Sequence, residues 1–172
     1  MLKIQAKEII GGDLSATTKM PCKSFNLPAW ECKTGSKLSK VKGSSCYDCY
    51  AKKGNYTRFP SVKKAQYKRL GQLFNPAWVD AMVSLIESEV KRINEPIFRW
   101  HDAGDIQNIN HLKNIVAVAN KTPGVKHWIP TQENKMVNDF IKAGGVVPNN
   151  LIIRVSASMV NGKPPKNAKY TS

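Results

Sequence analysis

The stretch IFRWHDAGDIQNINHLKNIVAVANKTPGVKHWIPTQ, residues 97–132, decides the fold. It opens on a short apolar run, IFRWH at 97–101, rich in β-branched and aromatic residues. Leu112, Ile115, Val116 and Ala119 then recur at helical spacing, and the pattern stops before Pro123. A second apolar run, HWIP at 127–130, follows. Strand, helix, strand is the unit that joins parallel neighbours by a right-handed crossover.

Working outward, the same alternation continues on both sides. Upstream, Asn75 and Pro76 can start a helix that carries Trp78, Val79, Met82, Val83, Leu85, Ile86, Val90 and Ile93 at helical spacing and ends near Glu95-Pro96. Downstream, Met136, Val137, Phe140 and Ile141 mark a helix closed by Gly144-Gly145, and LIIRVS at 151–156 reads as a third strand. The order αβαβαβ over 75–157 predicts an α/β fold, either a doubly wound parallel sheet or a partial (β/α) barrel. At 172 residues the chain is expected to form one domain, residues 1–157, followed by a polar Pro/Lys-rich tail at 158–172 that is extended or disordered.

Residues 17–60 read differently, as a long loop rich in Gly, Ser and Lys that holds all four cysteines. A basic helix is expected from about 61 to 74. Long loops inside a compact domain are uncommon unless functional, and a bound metal supplies the ordering that an apolar core does not. Cys22, Cys32, Cys46 and Cys49 have the spacing C-x9-C-x13-C-x2-C, in which the last pair can face one ion. Four thiolates match both structural zinc and an iron–sulfur cluster, and the wide first spacing favours iron–sulfur, with zinc as the alternative. The start, MLKIQAKEIIGGDLS, has no apolar signal region, and no apolar run reaches membrane-spanning length. A cytoplasmic location follows as the expectation, and there cysteines hold metal or do chemistry more often than they form disulfides.

The net charge is +15, of which residues 1–74, with 15 Lys and Arg against 4 Asp and Glu, hold +11. Basic side chains at 33–42 and 52–69 interleave with Tyr56, Phe59 and Tyr67. Lysines neutralise phosphates and aromatic rings stack on unpaired bases, so a nucleic acid or another polyanion is the expected partner. The lysines at 37, 40, 42, 52 and 53 are the expected phosphate contacts.

Active sites of parallel α/β folds lie at the carboxyl ends of the strands. There the sequence offers His101, Asp102 and Asp105 as candidate catalytic groups or extra metal ligands, or else as helix caps and backbone partners. Arg99, Thr131, Gln132, Arg154 and Ser156 are candidates for binding a cofactor along the same rim. His111 and His127 are expected to be structural or exposed. Two readings stand side by side. One is a metal- or iron–sulfur-dependent enzyme of unknown reaction, and the other is a non-catalytic, zinc-stapled basic binding protein acting on a host machine.

The segments KMPCKSFNLPAWEC, CYDCYAKKGNY, FRWHDAGDI, HWIPTQ and NLIIRVSAS, in that order over about residues 17–157, resemble the bacteriophage gene product 88 domain family. The resemblance implies a phage-encoded protein that acts in the host cell cytosol. The C-x-x-C-Y-A piece followed by βα units is more distantly similar to radical S-adenosylmethionine proteins, which are partial (β/α) barrels. Their C-x3-C-x2-C signature is not met, since Lys42 stands at the first cysteine position and Asp48 stands directly before the last one. That departure weighs against S-adenosylmethionine as a cofactor.

Overall fold

The computed structural model describes residues 1–18 and 20–171. Its elements are α1 (Lys3–Ile10), β1 (Ser24–Phe25), α2 (Lys33–Leu38), α3 (Asn55–Arg58), α4 (Pro60–Gln72), α5 (Trp78–Ile93), β2 (Ile97–Trp100), α6 (Ile109–Lys121), β3 (Lys126–Thr131), α7 (Asn134–Lys142), β4 (Leu151–Val155) and β5 (Tyr170–Thr171). The αβαβαβ order is present, with shifted ends. The first of its helices starts at Trp78 rather than at Pro76, although the Asn75 side chain still accepts the Ala77 amide at 3.0 Å. His101 falls outside β2 because its backbone turns to φ 54°. Asn108 caps α6 by accepting the His111 amide at 2.9 Å. Six of these elements lie outside the alternation: α1, which packs on α5, the two-residue β1 inside the cysteine segment, α2, α3 and α4 after it, and β5 within the polar tail.

The five strands form one all-parallel sheet in the order β1-β2-β3-β4-β5. Every step moves in the same direction, so right-handed crossovers put the connecting helices on one face. A doubly wound sheet needs the order to reverse, and here it does not. Burial alternates accordingly. Phe98, Trp100, His127, Ile129, Leu151, Ile153 and Val155 are buried in the helix-covered face, whereas Arg99 and Trp128 are half-buried and Ile152 and Arg154 exposed on the other. The fold is an α/β fold with a five-stranded all-parallel sheet that keeps one face open.

The core centres on Trp100. Its ring lies 5.0 Å from Phe98, 6.1 Å from Trp78, 6.3 Å from Phe25 and 6.1 Å from His127, on which it stacks. The indole N–H donates to His127 Nδ1 at 3.2 Å, which leaves Nε2 to donate to Thr122 Oγ1 at 2.8 Å. His127 is thereby a structural residue, satisfied at both nitrogens.

Candidate metal centre and strand-end cleft

β1 delivers the chain to the carboxyl end of the sheet, where the cysteine segment is laid over the strand exits. The Leu27 amide donates to the Ala103 carbonyl at 2.9 Å, joining the segment after β1 to the HDAGD loop after β2. Gly104 makes this approach possible. Its φ is +82°, and a Cβ there would stand 2.6 Å from Leu27 Cβ and 2.7 Å from the Leu27 carbonyl oxygen. Further on, Thr34 donates its amide and hydroxyl to the two oxygens of Glu133 at 2.7 and 2.8 Å, fixing the start of α2 to the loop after β3. Ser45 takes Gln132 Nε2 at 2.7 Å and gives its hydroxyl to the Ala157 carbonyl at 3.0 Å, so Cys46 is held across the exits of β3 and β4.

All four cysteines are free thiols. Cys32 and Cys46 border the space over Gly35, where a Cβ would lie 3.5 Å from Cys46 Sγ and 3.8 Å from Cys32 Sγ. Cys49 packs with the small cluster of Ala29, Ala51 and Ala103. Burial raises the Cys32 thiol far above its ordinary value, and Asp105, Cys49 and Cys46 add to the rise, while Lys52 opposes it. Burial and then Cys49 raise Cys46. Cys49 therefore lies within electrostatic reach of both, and Cys32 and Cys46 share Asp105 and Lys52 as neighbours. Cys22 lies before β1 while Cys32 lies after it, it is raised by burial alone, and Arg99 is the charged group that lowers it. Among the described residues no group of three or more His, Cys, Asp or Glu is disposed to hold an ion as it stands.

The HDAGD loop divides its side chains among three places. His101 is buried against His111, ring to ring at 5.3 Å, with neither ring nitrogen hydrogen-bonded and no part in lining the cleft described below. Asp105 is buried and accepts Thr131 Oγ1 at 2.6 Å, the Gln132 amide at 2.9 Å and the Ile106 amide at 2.8 Å. It clamps the exit of β3 instead of capping α6, and it lies within electrostatic reach of Cys32 and Cys46. Asp102 accepts Ser24 Oγ at 2.5 Å, Tyr56 Oη at 2.8 Å and Asn26 Nδ2 at 3.3 Å. It borders a cleft of about 860 Å³ whose walls also carry Asn26, Tyr50, Tyr56, Arg69 and Arg99. Of the remaining rim candidates, Thr131 and Gln132 serve Asp105 and Ser45, Ser156 donates its amide to the Thr131 carbonyl at 2.9 Å, and Arg154 is exposed on the open sheet face. Sequence reading did not single out Asn26, Tyr50, Arg69 or Glu133 for the site. Asn26, Tyr50 and Arg69 come from separate segments and meet at the cleft only in the fold, and Glu133 reaches Thr34 of the cysteine segment across 99 residues.

The buried histidines predict how stability follows pH. Burial, with His111 and Arg99 adding to it, takes His101 well below its ordinary value, and burial takes His111 to about 3 and His127 to about 4. Below about pH 6.5 the unfolded histidines bind protons that the native ones refuse, so stability present above that pH is lost on acidification. Asp105, raised to about 7 by burial, works in the opposite sense, because the native carboxyl keeps its proton where the unfolded one has released it. With three histidines against one carboxyl, the urea midpoint is expected to fall between about pH 7.5 and 5. Asp105→Asn removes the opposing contribution and steepens the fall, and a flat or rising midpoint in the wild type contradicts this assignment.

Among the described residues no helix is long and apolar enough to cross a membrane. No curated protein and no solved structure matches the chain. The family model described as gene product 88 does match, over residues 2–171, a span that takes in the cysteine segment, the HDAGD loop and all five strands. The chain belongs to the gene product 88 family.

Proposed function

We propose that the protein is a cysteine-ligated metal protein of iron–sulfur type, in which Cys32, Cys46 and Cys49 are the ligands and the strand-end cleft is the place of chemistry. The observation that carries this reading is that Cys32 and Cys46 border one gap over Gly35, with Cys49 and Asp105 within electrostatic reach of both, above the carboxyl ends of a parallel sheet. As neutral thiols they have no reason to draw closer. A metal deprotonates its thiol ligands and repays the burial and repulsion that raise Cys32 and Cys46. The space over Gly35 supports the fit, since any side chain there would fill the gap between Cys32 and Cys46. A bound cluster would supply one-electron chemistry beside the cleft. Asp102, held by three donors, would orient a substrate, and buried Asp105 would hold or release a proton near neutrality.

An absorbance spectrum of anaerobically purified protein tests this reading. Brown protein with a broad band near 400 nm is expected. Colourless protein with stoichiometric zinc supports a staple for the loop, and the loop's anchors at Glu133, Gln132 and Ala157 make such a staple less necessary.

A nucleic acid is the partner we propose for the basic surface. Lys37, Lys40, Lys42 and Lys53 are exposed beside the cysteine segment, and α4 presents Lys63, Lys64, Tyr67 and Lys68. Lys63 already lies 4.5 Å above the Trp30 ring. With about four phosphates neutralised, affinity for a single strand is expected to drop roughly 50-fold between 50 and 200 mM salt. Replacing Lys37, Lys40 and Lys42 together by Gln should flatten that dependence, and binding indifferent to salt removes the partner.

A further inference from the structure

The cleft beside the open sheet face has a chemistry of its own. Its charged lining consists of Arg69, Arg99 and Asp102, two cations against one anion. Arg69 is only 7 % exposed. Its guanidinium is aimed by Asn26 Oδ1 and by the Asp13 carbonyl at 2.7 Å, both neutral acceptors. The Arg99 guanidinium contacts Met20 Sδ at 2.9 Å, the Trp128 ring at 4.7 Å and the Tyr50 hydroxyl. Among the described residues neither arginine is in an ion pair. Asp102 and Asp13 act on Arg69 only through the field, and the Nε of each arginine is buried without a hydrogen-bond partner. A forked guanidinium matches the oxygens of a phosphate better than it matches a thioether.

The anion of the cleft is complementary to a different group. Three donors hold the Asp102 carboxylate in place, which leaves about one of its roughly four lone-pair positions for a hydroxyl of a ligand. Next to it the rings of Tyr50 and Tyr56 meet edge to face at 6.1 Å and offer an aromatic wall. A cleft of about 860 Å³ lies within the range of small-ligand sites, roughly 300 to 1,000 Å³.

From this juxtaposition we infer that the cleft binds a mononucleotide, with its phosphate at Arg99 and Arg69, a ribose hydroxyl at Asp102 and its base against Tyr50 and Tyr56. The site needs no metal and goes beyond the cysteine centre, so its test is a binding measurement that an empty or a filled centre leaves readable.

The experiment is calorimetric titration of the full chain, as purified, with each of the four ribonucleoside 5′-monophosphates, with the matching nucleosides and with inorganic phosphate. At least one monophosphate is expected to bind ten times or more tightly than both its nucleoside and inorganic phosphate. Arg99→Gln should weaken that binding at least tenfold, and Arg99→Lys, which keeps the charge but loses the fork, should weaken it several-fold with the fold intact. Lys126→Gln, on the exposed start of β3 and outside the cleft lining, should leave it unchanged. Inorganic phosphate binding as well as any monophosphate, a nucleoside binding as well as its monophosphate, no binding at millimolar ligand, or an Arg99→Lys variant that folds and binds like the wild type would each overturn the proposal.

Discussion

Cys46→Ser is expected to abolish metal binding and to destabilise the segment between β1 and α4, whereas Cys22→Ser leaves metal stoichiometry unchanged. Cys46 borders the same gap as Cys32 and feels Cys49, so removing its sulfur removes a ligand from the group. Metal binding energy is folding energy for a segment with little core of its own, and here that core amounts to Ala29, Ala51 and Ala103 with Cys49 and Tyr56 packed on them. The stability loss should be on the order of 4 kcal/mol or more, as for other lost metal sites. Cys22, by contrast, is a buried thiol beside Arg99, and a hydroxyl in its place costs about 1 to 3 kcal/mol with no effect on metal. Metal analysis and urea unfolding of the two variants read the difference. Equal metal loss in both would return Cys22 to the ligand set.

Trp100→Ala carries the second large effect, on the fold itself. The ring is fully buried and touches Phe25 from β1, Phe98 from β2, His127 from β3 and Trp78 from α5, so it joins three strands to a helix. Truncating a buried tryptophan costs about 3 to 5 kcal/mol through lost burial and the cavity left behind. Losing the indole N–H also leaves His127 Nδ1 buried without its donor, at about 1 to 3 kcal/mol. The chain is expected to be largely unfolded near 37 °C by circular dichroism. A shift of less than about 1 kcal/mol in urea would mean that the cluster around Trp100 is not the centre of the core.

What the sequence made legible was what local pattern encodes. The helices at 78–93, 109–121 and 134–142 announce themselves by an apolar face, and the strands between them by apolar runs bounded by Pro and Gly. β1 carried no such mark. Two residues, Ser24 and Phe25, gain strand identity only by pairing with Arg99 and Trp100 more than seventy residues away. That short strand also runs between Cys22 and Cys32 in the chain. The type of sheet was open for the same reason, because strand order depends on pairing and not on periodicity. At the site, the HDAGD residues were legible as a strand-end loop, but their fates were not. A positive φ at His101 turns the chain so that His101 faces His111, Asp102 faces the cleft and Asp105 faces β3 and the thiols. Neighbouring letters gave no hint of three different destinations.

The most direct test is the iron and acid-labile sulfide content of the wild-type chain isolated without oxygen, measured beside the Cys22→Ser variant. Iron and sulfide in equal amounts, retained in both proteins, are the expected result. Protein with neither iron nor sulfide, or with zinc in their place, would contradict an iron–sulfur centre on Cys32, Cys46 and Cys49.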